Sequence, residues 1–301
     1  MGSRTIRSRG CYLIAGFALI LSALVSVPAM AWGEFGHRTT ADIALANVKP
    51  ETRTAIARLI TYERRLGTPQ CRLRSLQDAA AWPDCIRRDY WRWGYTFAWH
   101  YRTAPICEAY NARDNCSGGN CIIAQIERNQ RILADESLPP NVRLEALAFL
   151  AHFVGDVHMP LHSGDKEDRG GNDRVTSYGI APGLNLHSIW DGPLAERAIT
   201  SARPSLIRYY SAAERADLAG GDAAEWGRES WQLARDFVYP GAFDQDVCPA
   251  ELPQEAALSQ EDIVAAIPIS QRRITQAGLR MARLLDEAFA PGPLVVEEVR
   301  R

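Results

Sequence analysis

Histidine and aspartate occur four residues apart at two places in this 301-residue sequence. His152 and Asp156 form the first pair, and His187 and Asp191 repeat the spacing further along the chain. Residues four apart lie on the same face of an α-helix. Imidazole nitrogens and carboxylate oxygens are ligands that borderline cations such as zinc accept. The two pairs therefore predict a metal site whose ligands are carried by helices.

The first pair must be positioned by a strongly apolar stretch, residues 148–162. Its sequence, AFLAHFVGDVHMPLH, predicts a buried helix that carries ligands and then stops. Pro160 prevents a regular continuation of that helix, so His162 is expected to reach the site from the turn beyond it.

Six histidines lie beyond the first 31 residues. A single histidine on an apolar face is more often a core residue than a ligand. Here the histidines are grouped, and several lie at helical spacing from an aspartate or another histidine, which favours a metal site. They are His37, His100, His152, His158, His162 and His187.

Residues 1–31 have the pattern of a secretory signal peptide. Basic residues at positions 4, 7 and 9 precede an apolar run over residues 12–27, and a small-x-small cleavage site ends at Ala31. Cleavage before Trp32 predicts a secreted or periplasmic protein. The alternative is an uncleaved membrane anchor, for which the apolar run is short. No later segment of the sequence is apolar enough to span a membrane.

Six cysteines remain beyond the predicted cleavage site. An even number in an exported protein predicts three disulfides, and six cysteines allow 15 pairings. A zinc site made of thiolates is the alternative, but the sequence contains no Cys-x-x-Cys pair.

The charge of the sequence argues against one way of binding nucleic acid. The signal contains three arginines and no acidic residue, which leaves 31 basic and 36 acidic residues and a formal charge of −5. No run of lysine or arginine is present, so binding through a basic patch is not indicated. An anionic substrate remains compatible with this charge if bound metal supplies the positive charge.

Helical patterns dominate the chain, and strand signals are few. With 47% hydrophobic and 23% charged residues, the sequence predicts one all-α domain over residues 32–290 and a loosely held tail over 291–301. The predicted helices cover approximately residues 32–47, 51–66, 73–82, 121–135, 141–158, 185–200, 203–215, 222–238, 259–266 and 268–288.

Three segments between these helices have other patterns. Residues 107–121 and 163–183 predict loops, the second with a small hairpin around residues 174–178. The aromatic segment 90–101 alternates in part, which predicts a short extended stretch. We expect its rings to pack in the core, and a platform for stacking bases is the alternative.

Several short motifs, in this order, resemble the zinc-dependent single-strand-specific nucleases, the S-one and P-one or type I nucleases. The resemblance to the bacterial zinc phospholipases C of the same fold is more distant. The motifs are Trp-Gly-x3-His, Ala-x-Trp-x-Asp, a lone histidine after aromatic residues, His-Phe-x-Gly-Asp-x3-Pro-Leu-His, Gly-Gly-Asn and Asn-Leu-His-x2-Trp-Asp. The resemblance extends from Trp32 to about Leu285. The resemblance implies a helical domain of the phospholipase C/nuclease type with a trinuclear zinc cleft.

Three zinc ions are implied as cofactors by this resemblance. The first ion would be bound by Asp84, His100, His152 and Asp156. The second ion would be bound by His162, His187 and Asp191. The third ion would be bound by His37, by Asp156 as a bridge, and by the free amine and carbonyl of Trp32. The motif does not require a histidine at position 158, so a structural or supporting role is expected for His158 rather than ligation.

The resemblance implies hydrolysis of a phosphodiester by metal-activated water, with 5′-phosphate products. Asp84 and Asp156 would act by holding the metal ions, and Arg87 would contact the charged transition state. A surface role is the alternative for Arg87. Three zinc ions against three carboxylates would leave a local charge of about +3, which would compensate for the missing basic patch.

Three further residues are implied to bind the substrate. Tyr101 could stack on a base. The fungal members carry Phe-x-Asp after the ligand histidine, and this sequence has Thr103 in place of the carboxylate. Thr103 cannot replace that carboxylate, so the base preference is open. Asn172 of the Gly-Gly-Asn motif matches a residue near the substrate phosphate, and an ordinary turn asparagine is the alternative.

The resemblance also implies two disulfides, Cys116–Cys121 and Cys107–Cys248, and leaves Cys71 to pair with Cys85. Three functions compete: a secreted nuclease with 3′-nucleotidase activity, a zinc phospholipase C, and a non-enzymatic exported zinc-binding protein. The polar character of residues 163–183 disfavours a lipase, which should expose apolar residues near its site. We therefore expect single-stranded DNA, RNA and 3′-nucleotides as substrates, with neither a membrane anchor nor a protein partner implied.

Overall fold

A computed structural model describes residues 32–111, 114–248 and 251–292. The predicted signal peptide, residues 1–31, and the tail beyond residue 292 lie outside the described residues. The described chain is mainly helical, as predicted. Its α-helices are α1 Glu34–Asn47, α2 Pro50–Ile60, α3 Leu76–Ile86, α4 Tyr90–Trp93, α5 Ile122–Ala134, α6 Pro140–Asp156, α7 Leu186–Ile189, α8 Ala195–Ser201, α9 Ala212–Leu218, α10 Ala223–Leu233, α11 Tyr239–Phe243 and α12 Gln260–Ala288.

Short irregular helices and strands connect these elements. Segments Gly94–His100 and Pro160–His162 are 3₁₀-helical, and Trp190–Leu194 and Ala234–Val238 are π-helical. The strands are β1 Ala104–Pro105, β2 Gly164–Asp165, β3 Val175–Tyr178 and β4 Ala181–Asn185. β1 pairs parallel with β2, and β3 pairs antiparallel with β4. The second pair confirms the predicted hairpin and extends beyond it.

Helix α6 lies at the centre of the molecule. Its residues from Ala146 to Asp156 are all buried, because the helix is apolar on every side. α3 and α5 pack against it, and α1 packs against both α3 and α12. Gly278 allows α12 to approach α1 closely, since a Cβ at that position would lie 2.5 Å from the Cβ of Ile43.

Two predicted helix boundaries at prolines are wrong. Helix α3 begins at the N-cap Ser75, whose hydroxyl accepts from the Asp78 amide, and it continues through Pro83 to Ile86. Helix α12 likewise runs through Pro268 as one helix of 29 residues, where two helices were predicted. A proline removes one backbone hydrogen bond from a helix. In both helices burial of the apolar side offsets that loss.

Two other predictions are wrong for local reasons. The aromatic segment is not extended: α4 and the 3₁₀ segment Gly94–His100 occupy it, and the buried Trp93, Thr96 and His100 follow helical spacing. The helix predicted over 203–215 is found only from residue 212, in α9, which begins after the capping box of Ser211 and Glu214 and continues to Leu218.

The expected disulfides are all formed. Cys71 pairs with Cys85, Cys107 with Cys248, and Cys116 with Cys121. The first of these pairs ties the loop before α3 to the residue that follows Asp84. Of the helices that the structure describes, none combines the length and the apolar character needed to cross a bilayer.

Candidate metal centre and cleft

Four side chains meet where α6 ends, and they match the first predicted ligand set. His152 Nε2 lies 2.9 Å from His100 Nδ1, and each of these nitrogens lies 3.1 Å from Asp156 Oδ2. Asp84 Oδ1 lies 3.7 Å from His152 Nε2 and 3.8 Å from His100 Nδ1. All four residues are buried. They come from α3, α6 and the end of the 3₁₀ segment Gly94–His100.

These separations fit a single tetrahedral cation. Zinc ligands at about 2.0–2.2 Å in a tetrahedron lie about 3.3–3.6 Å from one another. The observed separations, from 2.9 to 3.8 Å, bracket that value. The donor set of two imidazoles and two carboxylates is also one that zinc accepts.

The two oxygens of Asp156 face different neighbours. Oδ2 contacts His100 and His152, whereas Oδ1 lies 3.1 Å from His37 Nε2. The rings of His37 and His152 stack at 4.0 Å. Gly155 makes room for this arrangement, because a Cβ there would lie 2.7 Å from His37 Nδ1. One carboxylate is thus placed between two groups of ligand atoms.

A third group consists of His162, His187 and Asp191. Their ligand atoms lie within 4.8 Å of one another, and His187 Nε2 is 3.0 Å from Asp191 Oδ2. As predicted, His162 reaches this group from the turn after Pro160. The Gly33 amide donates to the carbonyl of Asp191 at 2.8 Å, which brings the chain at Trp32 beside this group. Trp32 itself is buried.

Backbone carbonyls orient three of the histidines. Nδ1 of His152 contacts Ala80 O at 2.6 Å, Nδ1 of His162 contacts His100 O at 2.7 Å, and Nδ1 of His187 contacts Gly170 O at 2.7 Å. A carbonyl can only accept, so each Nδ1 carries the proton. Each Nε2 is therefore left free to bind a cation.

Several atoms of these groups are buried without a hydrogen-bond partner. Among them are His162 Nε2, Asp84 Oδ2 and Asp191 Oδ1. A buried polar atom that lacks a partner costs about 1–3 kcal/mol. Bound cations would satisfy such atoms, so the residues present fit a metal centre.

The protonation states also suit metal binding. Burial lowers the pKa of His37, His100 and His162, the last to about 3, so these rings are neutral at pH 7. Burial lowers the pKa of His152 too, but the charges of Asp156 and Asp84 outweigh it and raise the value to about 9. A cation bound beside Asp156 and Asp84 would therefore displace the proton of His152.

A cleft of about 440 Å³ opens beside these groups. Its lining includes His100, His162 and His187 of the metal centre and all four of the residues predicted to contact substrate. Those residues are Arg87, Tyr101, Thr103 and Asn172. The structure therefore brings every predicted site residue other than Trp32 to one of the three groups or to the cleft beside them, and Trp32 lies next to Gly33, which contacts Asp191.

Asp165 and Arg169 also line the cleft, and sequence reasoning missed both. They lie in the polar run that precedes Gly-Gly-Asn, for which the sequence predicts only a loop. Asp165 Oδ1 accepts from the Gly170 amide at 2.7 Å, and the Arg169 carbonyl accepts from Asn172 Nδ2 at 2.8 Å. The density of charged residues around the motif could have pointed to them.

His158 is not part of any of the three groups. It is buried, its Nδ1 contacts Val154 O at 2.7 Å, and its Nε2 accepts from Arg280 Nη1 at 2.8 Å. Both ring nitrogens are therefore occupied by protein groups, in agreement with a structural role.

A helical scaffold with buried histidine and aspartate groups beside an open cleft defines a class of metal-dependent hydrolases. Sequence comparison assigns the family. The profile described as S1/P1 Nuclease matches residues 32–290, and the chain belongs to this family.

Individual relatives agree with this assignment. "Endonuclease 4" of Arabidopsis thaliana is 27% identical over 91% of this chain and 94% of its own length. "Nuclease S1" of Aspergillus oryzae is 27% identical over 85% and 91%, respectively. "Nuclease P1" of Penicillium citrinum is 31% identical over 56% and 60%.

The predicted resemblance to single-strand-specific nucleases is confirmed. The chain is a nuclease, a hydrolase of phosphodiester bonds, and neither the phospholipase nor the non-enzymatic alternative is favoured. The family is metal-dependent, and the three buried groups are the candidate metal sites of this chain.

Proposed function

We propose that this protein is an exported, zinc-dependent endonuclease and 3′-nucleotidase. It hydrolyses single-stranded DNA and RNA to products that carry 5′-phosphates. The observation that carries the proposal is the buried cluster of Asp84, His100, His152 and Asp156, of which His100 lines the cleft.

Three zinc ions are proposed, one for each group of ligand atoms. The first would be held by Asp84, His100, His152 and Asp156, the second by His162, His187 and Asp191, and the third by His37, Asp156 and Trp32. The position of Asp156 between His37 and His152 supports its role as a bridge. When bound, the ions would supply a nucleophile at neutral pH and positive charge for the phosphate oxygens.

Arg87 is proposed to stabilise charge on the phosphoryl group. Its Nη1 lies 3.4 Å from Asp84 Oδ1, and its guanidinium lies over the ring of Phe97 at 4.7 Å. These two contacts hold the side chain at the edge of the cleft while it stays partly exposed. A guanidinium fixed in this way can donate to a phosphate oxygen as negative charge develops.

Tyr101, Thr103 and Asn172 are proposed to position the substrate. The exposed ring of Tyr101 offers a stacking surface for a base. Thr103 Oγ1 accepts from Asn115 Nδ2 at 3.3 Å and supplies no carboxylate, so discrimination among bases is expected to be weak. Asn172 uses one amide hydrogen on Arg169 O, which leaves the other for a phosphate oxygen.

The ligand role of Trp32 requires cleavage of the signal peptide before it. Only a free α-amine can bind a cation, because an amide nitrogen is a poor ligand. Two contacts support this placement. Gly36 of α1 lies close to Trp32, and the Gly33 amide donates to the carbonyl of Asp191, so the chain at Trp32 lies between α1 and the group that contains Asp191.

A parallel assay tests the proposal. Purified protein that begins at Trp32 is offered single-stranded DNA, RNA, 3′-AMP and phosphatidylcholine, and its metal content is measured. We expect about three zinc ions per chain, hydrolysis of the first three substrates and none of the lipid. An active preparation with one ion or fewer, or one that cleaves phosphatidylcholine alone, would contradict the proposal.

A further inference from the structure

The aromatic segment before His100 is divided between the core and the surface. Trp93 and Trp99 are buried and pack against Phe149. Tyr90 and Trp91, in the same short helix as Trp93, are 66% and 98% exposed. Exposure of a large aromatic side chain to water is unfavourable, and exposed apolar patches often mark interaction sites. The core-packing interpretation of this segment therefore explains only half of it.

Positive charge accompanies the exposed rings. From Arg87 to Tyr95 the sequence contains three arginines, Arg87 included, and one acidic residue, Asp89. In the described part of the chain, no acidic side chain forms an ion pair with Arg88 or Arg92. We call Arg88, Tyr90, Trp91 and Arg92 the aromatic-basic patch. Arg92 donates to the carbonyls of Leu66 and Gly67, which are uncharged, so the patch keeps its positive charge on a chain that is acidic overall.

The aromatic-basic patch is connected to the cleft through side-chain contacts. Arg87 lines the cleft and contacts the metal-ligand candidate Asp84. Its guanidinium lies on the ring of Phe97, and Tyr90 packs edge-to-face on the same ring at 5.6 Å. Trp91 follows Tyr90 directly. The cleft and the patch are thus connected through two ring contacts.

We propose that the aromatic-basic patch binds the part of a single-stranded nucleic acid that extends beyond the cleft. This inference rests on the proposed nuclease function. Exposed aromatic rings stack unpaired bases of any sequence, and arginines pair with the phosphates between them. A duplex keeps its bases stacked inside, so the patch favours single strands. Its continuity with the cleft and its charge both favour this occupant over a protein partner.

Substrate length provides the main test. Wild type and Trp91→Ala are compared, both loaded with zinc, on oligothymidylates from a dinucleotide to about twelve nucleotides. We expect the KM of the variant to rise about tenfold on the long substrates, which corresponds to one lost stacked base, and to stay unchanged on the dinucleotide. Trp91→Phe keeps a ring and should restore most of the affinity for the long substrates.

Tyr209→Ala is the matched control. Tyr209 has the same exposure as Tyr90, at 66%. It lies near the end of α1 marked by Asn47, whose side chain contacts the neighbouring Arg208 and Tyr210. That end is about 15 Å along the helix from His37. Removing Tyr209 should leave kinetics on every substrate unchanged.

The dependence on salt tests the charged part of the patch. Arg88→Ala should make the slope of log(kcat/KM) against log[salt] shallower by about 0.7 on the long substrate, the value for one phosphate contact on a single strand. Arg203→Ala removes an exposed arginine from the same region as Tyr209 and should leave the slope unchanged.

The outcomes separate the inference from the proposed function. If wild type cleaves neither length of substrate, the nuclease proposal fails. If it cleaves both and Trp91→Ala changes neither, or changes both equally, the patch does not bind the extending strand. If Trp91→Ala instead changes the sedimentation of the protein and leaves the kinetics intact, the patch is an interface between two copies, and the inference is overturned.

Discussion

Two clusters of polar and charged side chains lie next to each other at the end of α6. They differ in whether the protein itself supplies hydrogen-bond partners for their buried atoms. Asp156 belongs to the metal centre, whereas His158, two residues later, belongs to a cluster with Glu229, Arg273 and Arg280. We call the second one the arginine cluster. Both are largely buried, with only Glu229 of the arginine cluster partly exposed, and both contain groups that are costly to remove from water.

The arginine cluster supplies its own partners for all but one of the arginine nitrogens described below; the exception is Arg280 Nε. Glu229 accepts from Arg280 Nη1 and Nη2 at 2.6 and 2.8 Å, and from Arg273 Nη1 at 2.5 Å. Arg273 also donates to Ser230 Oγ and to the carbonyls of His158 and Trp226. Burial lowers the pKa of Arg273 to about 10, so it stays charged at pH 7.

The metal centre leaves atoms of the same kinds without partners. His162 Nε2 and Asp84 Oδ2 are buried and unpaired, and the centre opens on a cleft. A cluster that is satisfied by protein groups stabilises the fold, and one that needs a cation is available for chemistry. Substitutions in the arginine cluster should therefore reduce stability, and substitutions in the metal centre should reduce activity.

The largest effect is expected for Asp156→Asn. The amide cannot bridge two cations as a carboxylate does, so both neighbouring ions should be weakened. We expect activity to fall at least a thousandfold, which is about 4 kcal/mol in the barrier. Steady-state rates and metal content measured on the same preparation check this. Asp217→Asn is the control, since Asp217 forms only an exposed ion pair with Arg272.

A high residual rate would contradict the expected role of Asp156 in the metal centre. If Asp156→Asn keeps more than about a tenth of the wild-type rate, a change of only ~1.4 kcal/mol, Asp156 does not bridge. Loss of activity together with unfolding would show that the metal centre is structural, like the arginine cluster.

The next effect is on stability. Glu229→Ala leaves Arg273 and Arg280 buried with no acidic partner. Breaking a buried pair costs about 3–5 kcal/mol, and we expect the low end because the Glu229 side chain is 35% exposed. Denaturant unfolding measures this loss, and the rate per folded molecule should not change. Asp217→Ala, at an exposed pair, should cost less than about 1 kcal/mol.

The effect of Glu229→Ala should depend on pH. Burial raises the pKa of Glu229, but its bonds to Arg280 and the charges of both arginines outweigh burial and lower it overall. A lowered folded pKa stabilises the protein above the unfolded value of about 4.3, and this contribution is lost as the pH falls through the folded pKa. The difference between wild type and variant should therefore shrink in acid. A constant difference would show that Glu229 acts through packing.

The two clusters differ in how much of them the sequence reveals. Helical spacing alone linked His152 with Asp156 and His187 with Asp191, because both partners lie on one helical turn. Asp84, His100 and His37 came from resemblance, since nothing local connects residues so far apart in the chain. The partner of His158 is Arg280, 122 residues later on α12, and no pattern in the sequence pointed to it.

Local sequence patterns do not report contacts between distant residues, and this also explains the errors in the predicted fold. Pro83 and Pro268 read locally as helix ends, but packing against the rest of the molecule carries α3 and α12 through them. The partial alternation of residues 90–101 suggested a strand, whereas burial in the structure follows helical spacing. Asp165 and Arg169 were missed because the fold of their loop, with β1 beside β2, places them at the cleft.

A smaller effect should follow from one extra residue before Trp32. Protein that retains a methionine there has an amide in place of the α-amine, whose unperturbed pKa is about 8. The other two ligand groups consist of side chains only, so the chain should fold and bind about two zinc ions. We expect at least a tenfold loss of activity, ~1.4 kcal/mol. N-terminal sequencing, metal analysis and one rate assay suffice. Full activity with any residue attached before Trp32 would exclude the amine ligand.

The smallest effect is expected for a substitution of His158. This test shows which of the two clusters each of two nearby histidines belongs to. The same substitution is made at two histidines four residues apart, His158→Gln and His162→Gln. At position 158 a glutamine oxygen can accept from Arg280 and its amide can donate to Val154 O, so both contacts of the imidazole have a replacement. The cost should be about 1 kcal/mol of stability, with metal content and rate unchanged.

At position 162 the outcome should be the reverse. The unpaired Nε2 of His162 faces His187 and Asp191, and glutamine does not provide an imidazole nitrogen for a cation. We expect His162→Gln to lose one zinc ion and most of its activity while the metal-free protein stays as stable as wild type. Metal analysis, one rate and one unfolding curve for each variant complete the test. If His158→Gln also loses a zinc ion, His158 supports the metal centre, and the two clusters are one functional unit.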